Sequence, residues 1–145
     1  YILARKRHPK GQNIVIFKLP LIILDLFFDI FFIIVNGHDV PFLFVPSLVI
    51  VIVSVIFNFC LSTFLLLNEI RLNEDFRTWF TKYEKIASIF TLIASADVAT
   101  LNILTSRFAG FKFLFATFSI KAERLFCYGA IVNSLIKDIP QLVIQ

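Results

Sequence analysis

Residues 19–35 read LPLIILDLFFDIFFIIV, an apolar run interrupted only by Asp25 and Asp29. With the apolar residues before it, the run extends over 14–35, about 33 Å at the helical rise of 1.5 Å per residue. That length matches the hydrocarbon thickness of a bilayer. Both carboxylates fall near its middle, where an Asp costs about 2.5–3.5 kcal/mol on insertion scales. Residues of that kind face protein or a polar path rather than lipid. A signal peptide would have a shorter apolar core followed by a small-residue cleavage site, and no such site follows here, so 14–35 reads as a retained span. Lys18, Asp25, Asp29 and Asn36 are spaced seven, four and seven residues apart. On a helix they lie within about 40° of one face. Pro20 is the one place where a kink would swing Lys18 off that line.

The rest of the composition agrees with a lipid environment. Of the 145 residues, 59% are hydrophobic and 19 are Phe; mean hydropathy is +0.88. Soluble domains carry roughly 45–50% apolar residues, and a soluble core this small could not hide the excess. The expected fold class is therefore all-α: a polytopic helical membrane protein. The chain holds no Met, begins at Tyr1 and ends on the apolar IPQLVIQ, the pattern expected of a fragment of a larger bundle. The net charge of +4 is concentrated ahead of the first acid, at Arg5, Lys6, Arg7, Lys10 and Lys18. A basic cluster abutting a hydrophobic span points to a cytoplasmic N-terminus near anionic headgroups rather than to nucleic acid; the plasma membrane is the expected location. Cys60 and Cys127 sit inside apolar runs without metal or redox spacing, and are expected to be packed as small apolar side chains.

The run NGHDVP (36–41) is a polar turn in which His38 and Asp39 read as solvated. Residues 42–67 form a second span, expected to pack against the first as an antiparallel hairpin. Ser47, Ser54, Asn58 and Ser62 fall within about 80° of one another on it, the kind of small polar stripe along which membrane helices pack. Residues 68–85 mix four acids and four bases with Ile70, Leu72, Phe76, Trp79, Phe80 and Tyr83. That suits a cytoplasmic helix on the membrane surface, with Trp79 and Tyr83 at headgroup level. Residues 86–118 carry Ser88, Thr91, Ser95, Asn102 and Ser106 on one helical face and Asp97 opposite. Polar groups on two faces point to a segment buried among helices, a re-entrant pair broken near 107–110, or a third span, with the non-spanning forms favoured. Residues 120–145 put Glu123, Asn133, Ser134, Lys137, Asp138, Gln141 and Gln145 on one face, a polar-faced membrane helix. Pro140 should break it near Ile136, and freed carbonyls at membrane depth are tolerated where they line a cavity.

Three of these stretches resemble the XK-related family, membrane proteins that include phospholipid scramblases. LDLFFDI is similar to that family's first helix, in which two acids four apart follow a hydrophobic lead. FVPSLVI is similar to its proline-serine start of the second helix, and IPQLVIQ to its proline-glutamine-leucine segment. The order of the three agrees, while 68–119 lies outside the resemblance. The family's glutamate three residues before that proline is replaced here by Lys137, with Asp138 beside it. The resemblance implies a scramblase that moves headgroups along a polar groove, with membrane lipids as its partners.

No enzyme is expected. The four glycines form no phosphate loop, and the Cys, His, Ser and Asp residues show no ligand cluster or catalytic spacing; no cofactor is expected either. Three functions remain open. In the first, which the resemblance implies, Asp25, Asp29, Asn133, Lys137, Asp138 and Gln141 line a lipid headgroup or ion path. In the second, Asp25 and Asp29 hold a cation or proton in a transporter or channel subunit that works with other membrane subunits. In the third, the acids simply pair with Lys137 or Arg124 and hold the helices in register.

Overall fold

The computed structural model describes residues 17–36 and 41–140. Every element among them is helical. Helix α1 is Lys18–Asn36, α2 is Pro41–Leu72, α3 is Glu74–Ile93 and α4 is Ile120–Asn133. Between α3 and α4 the chain makes a 3-10 segment, Val98–Thr105, and two single turns. A π-turn, Ser134–Asp138, extends α4. One helix among the described residues, Phe44–Leu72 within α2, is long and apolar enough to cross a membrane, its most apolar 18-residue stretch having a mean hydropathy of 2.6. Large apolar side chains stand exposed along α1, α2 and α4, among them Leu21, Phe28, Ile52, Ile56 and Ile131. Residues 14–16, His38, Asp39 and Gln141 lie outside the described residues, so the expectations made for them stand where the sequence left them.

Helix α2 runs five residues past the expected end at 67, because nothing in Asn68-Glu69-Ile70-Arg71 opposes a helix. The stop comes at Asn73, which leaves helical geometry (φ −119, ψ 105) and accepts the Phe76 N–H at 3.1 Å, capping α3. Glu74 and Asp75 then occupy the first turn of α3, where negative charge suits the helix dipole. Glu69 ties this corner together. Its carboxylate accepts from Asn73 Nδ2 (3.0 Å), from the Ser119 N–H (3.0 Å) and from Ser119 Oγ (2.5 Å). Ser119 in turn accepts the Ala122 N–H and caps α4. One buried acid therefore fixes the end of one helix and the starts of two others.

Helix α3 crosses the expected boundary at 85/86 with only a local kink at Tyr83 (φ −125, ψ 30). The apolar face of its first half is covered by protein, while Ile89 and Leu92 near its end are exposed. Phe76 is fully buried, with ring centroids 4.6 Å from Phe118, 5.5 Å from Trp79 and 6.2 Å from Phe80. Phe118 in turn meets Phe126 of α4 at 5.0 Å. Trp79 is only 8% exposed. The expectation of Trp79 at headgroup level is corrected accordingly: the aromatic residues from 118 and 126 take the place that lipid was expected to fill.

The continuous helical face expected to carry Ser88, Thr91, Ser95, Asn102 and Ser106, with Asp97 opposite, does not exist, because the helix ends at Ala94. Asp97 accepts the Ala99 N–H at 2.8 Å and starts the 3-10 segment, which buries Val98, Leu101, Ile103 and Leu104 in the core. The chain then reverses through three positive-φ residues, Arg107 (51°), Ala109 (51°) and Gly110 (75°). Two backbone bonds close the reversal, Arg107 N–H to Leu114 C=O (2.9 Å) and Ala116 N–H to Leu104 C=O (3.0 Å). Left-handed geometry costs about 1–2 kcal/mol at each non-glycine residue, so these bonds and the core contacts of Leu104 and Leu114 hold it in place. The cysteine expectation is also corrected: Cys60 and Cys127 are free thiols on exposed surface.

Helix α4 passes close to α2 and the 3-10 segment at Gly129. A Cβ there would lie 2.7 Å from Leu61 Cδ2 and 2.7 Å from Val98 Cγ1. Gly129→Ala is therefore expected to destabilise the fold by about 1–3 kcal/mol through overpacking, read as a lower denaturation midpoint in detergent. An unchanged midpoint would mean that α4 shifts freely. Further on, Pro140 has no N–H for the Ile136 carbonyl, and the helix widens just before it. Ile139 N–H reaches back five residues to the Ser134 carbonyl, so the break expected near Ile136 takes the form of a π-turn. Lys137 rides on that turn, buried.

Candidate functional site: a buried ion triad and its amide network

Asp25 and Asp29 are one helical turn apart, so both carboxylates leave α1 on the same side. Lys137 meets them. Its ammonium Nζ is 2.5 Å from Asp25 Oδ2, as a hydrogen bond, and 2.7 Å from Asp29 Oδ2, as an ion pair off the hydrogen-bond line. The side chains of Lys137 and Asp29 are 5% and 9% exposed, whereas that of Asp25 is 61% exposed. The cluster thus has a closed end at Asp29 and an open end at Asp25, and a net formal charge of −1. Exposed Leu21, Leu24 and Phe28 surround the open end on α1.

One turn before Lys137 on the same side is Asn133, also buried. Its carbonyl oxygen accepts from Ser54 Oγ at 2.6 Å and from Asn58 Nδ2 at 2.7 Å. Asn58 Nδ2 also donates to the Ala96 carbonyl at 3.1 Å. The small polar stripe of α2 is thereby bonded to α4 and to the turn after α3. The expectation that it packs against α1 is corrected. A stripe of hydroxyls and an amide is best matched by another amide, while the acids of α1 need a cation, and Lys137 supplies it. Ser47, Ser54, Asn58 and Ser62 are all buried; Ser62 bonds within its own helix, to the Phe59 carbonyl.

Of the residues singled out from sequence, the structure brings Asp25, Asp29, Asn133 and Lys137 together. Asp138 is exposed and makes no ion pair among the described residues. Gln141 lies outside the described residues. Arg124, the alternative cation for the acids, is exposed and away from them. Ser54 and Asn58, expected from the sequence to serve helix packing, join this site through Asn133. No spacing in the sequence signals the link, because both residues bond to the single amide oxygen of Asn133 on a helix distant in the sequence. Among the described residues no three His, Cys, Asp or Glu side chains gather to hold a metal ion. Chemically, the arrangement offers both signs of charge at the edge of an apolar surface, backed by a neutral amide and hydroxyl network.

Compared with known proteins, the chain matches no protein-family model, no curated protein and no solved structure.

Proposed function

We propose that the chain is part of a polytopic integral membrane protein of XK-related type that lets phospholipid headgroups cross the bilayer along the seam at Asp25, Asp29 and Lys137. The observation that carries this reading is the open end of the triad. A seam that only joined helices would hide both acids, yet Asp25 keeps 61% of its side chain exposed within a belt of apolar residues. Helix α1, at 19 residues, is about 28 Å long, close to the hydrocarbon thickness, and so forms a second span beside α2. A headgroup bearing phosphate and amine would meet an ammonium and two carboxylates in the seam, which offsets part of the cost of bringing its charges into hydrocarbon. Such movement is downhill and needs no cofactor or energy source. The basic residues before α1 set the N-terminus on the cytoplasmic side of the plasma membrane, and lipids are the partners.

The test is reconstitution of the full chain in vesicles whose labelled lipids start in one leaflet. Accelerated equilibration that slows in Asp25→Asn is expected; no equilibration, with or without activating treatment, overturns the reading. One observation favours a second reading, a purely structural seam. Lys137 is shared by both acids, which leaves little of its charge for a phosphate. On that reading Asp25→Asn leaves any lipid movement unchanged and alters only stability.

A further inference from the structure

Away from the seam, a cavity of about 620 Å³ opens between the end of α2 and the starts of α3 and α4. This volume is in the range of small-ligand sites. Glu69 forms part of its lining, but its carboxylate already holds Asn73 and Ser119. Glu74, on the rim, is paired with Arg77 at 3.2 Å. Among the described residues, that leaves two charged side chains on the walls without a hydrogen-bond or ion-pair partner, Asp75 and Lys121, of opposite sign. Both are exposed, and neither makes an ion pair with any described residue. Two opposite charges that line one cavity without closing on each other leave a gap for a ligand carrying both signs. The rest of the lining includes Leu65, Leu72 and Leu125, a hydrocarbon wall continuous with the helix that is long and apolar enough to cross a membrane.

We propose that this cavity binds the headgroup of a phosphoethanolamine lipid, with phosphate at Lys121, ammonium at Asp75 and acyl chains along Leu72 and Leu125. Lys121 stands in the first turn of α4, where the dipole adds to its pull on a phosphate. An ammonium can donate hydrogen bonds to the Asp75 carboxylate. A quaternary choline cannot, and it is recognised by aromatic faces, whereas no aromatic ring lines the cavity among the described residues. The preponderance of acid over base on the walls disfavours headgroups with a net negative charge. This inference rests on the membrane reading above, but it concerns a bound lipid, not a moving one.

The experiment uses the full chain in phosphatidylcholine vesicles doped with a photoactivatable phosphatidylethanolamine, with adducts mapped by peptide mass spectrometry. Adducts are expected within 65–75 and 119–125, falling about tenfold in Asp75→Ala and in Lys121→Ala, as loss of one charge-assisted bond dictates. The double exchange Asp75→Lys with Lys121→Glu should regain labelling, the headgroup lying in reverse. Both positions are exposed, so circular dichroism should be unchanged, and thermal unfolding should shift only slightly, down in Asp75→Ala and up in Lys121→Ala, as the charge at each helix start changes. Equal labelling by a phosphatidylglycerol probe, or labelling indifferent to both substitutions, overturns the proposal. So does competition by soluble phosphoethanolamine as effective as by the lipid, which would assign the site to a free amine phosphate. Lipid equilibration in Asp25→Asn reports on the seam alone, so the two readings can fail separately.

Discussion

Changing Lys137 to Gln is expected to destabilise the folded chain by about 3–5 kcal/mol, the usual cost of removing one partner of a buried ion pair. The cost falls mainly on Asp29. Its side chain is 9% exposed and has the Lys137 ammonium 2.7 Å away, so without it a carboxylate is left buried with no counter-charge. Asp25 suffers less, since its open side can be solvated or reach an interfacial cation. Two further variants separate the seam's structural value from its use. Lys137→Gln with Asp29→Asn should recover most of the loss, and the double-mutant cycle should show strong coupling. Replacing all three with Asp25→Leu, Asp29→Leu and Lys137→Met should be close to neutral for folding, because apolar side chains of similar size avoid the desolvation cost. Denaturation midpoints in detergent check the series. Simple additivity of the single substitutions would show that the three side chains do not act together. If the triple variant folds and lipid equilibration is lost, the triad serves the lipid path; retained equilibration points to a seam that only joins helices.

How much of this could be read in advance differs from element to element. The all-helical architecture and the meeting of two acids with a lysine were accessible because both follow from spacing. Asp25 and Asp29 share a helical face by arithmetic, and Lys137 is a cation on the one polar face of the closing segment. The break before Pro140 was accessible for the same reason, since a missing N–H acts locally. A helical wheel, however, gives a direction and not a neighbour. The Ser54–Asn58 stripe was visible, but its partner Asn133, 75 residues from Asn58, was not. The reversal at 107–110 depends on left-handed Arg107 and Ala109, residue types that do not announce that geometry; bonds to Leu104 and Leu114 impose it. Trp79 was misplaced because an amphipathic helix looks the same whether lipid or Phe118 and Phe126 cover its apolar side.

That last ambiguity has a large measurable consequence. Phe76→Ala is expected to cost about 3–5 kcal/mol, the range for emptying a buried aromatic site. Phe76 is fully buried and its ring touches those of Trp79, Phe80 and Phe118, and edge-on or offset contacts of this kind add to the area term. The loss should pass to the start of α4, because Phe118 lies directly before the Ser119 cap and itself packs on Phe126. Unfolding in denaturant should therefore show a lower midpoint without a separate early transition for α3. Trp79→Phe provides the contrast. The indole Nε1 is buried without a hydrogen-bond partner, so removing that donor relieves an unmet desolvation cost of about 1–3 kcal/mol and should offset the lost ring area. If α3 instead lay on the membrane with Trp79 among the headgroups, both substitutions would be nearly silent. The emission of this single Trp would then be quenched by lipids brominated near the interface. A blue-shifted emission that such lipids leave untouched, together with a costly Phe76→Ala, is the expected pair of results; strong quenching with a silent Phe76→Ala would return α3 to the bilayer surface.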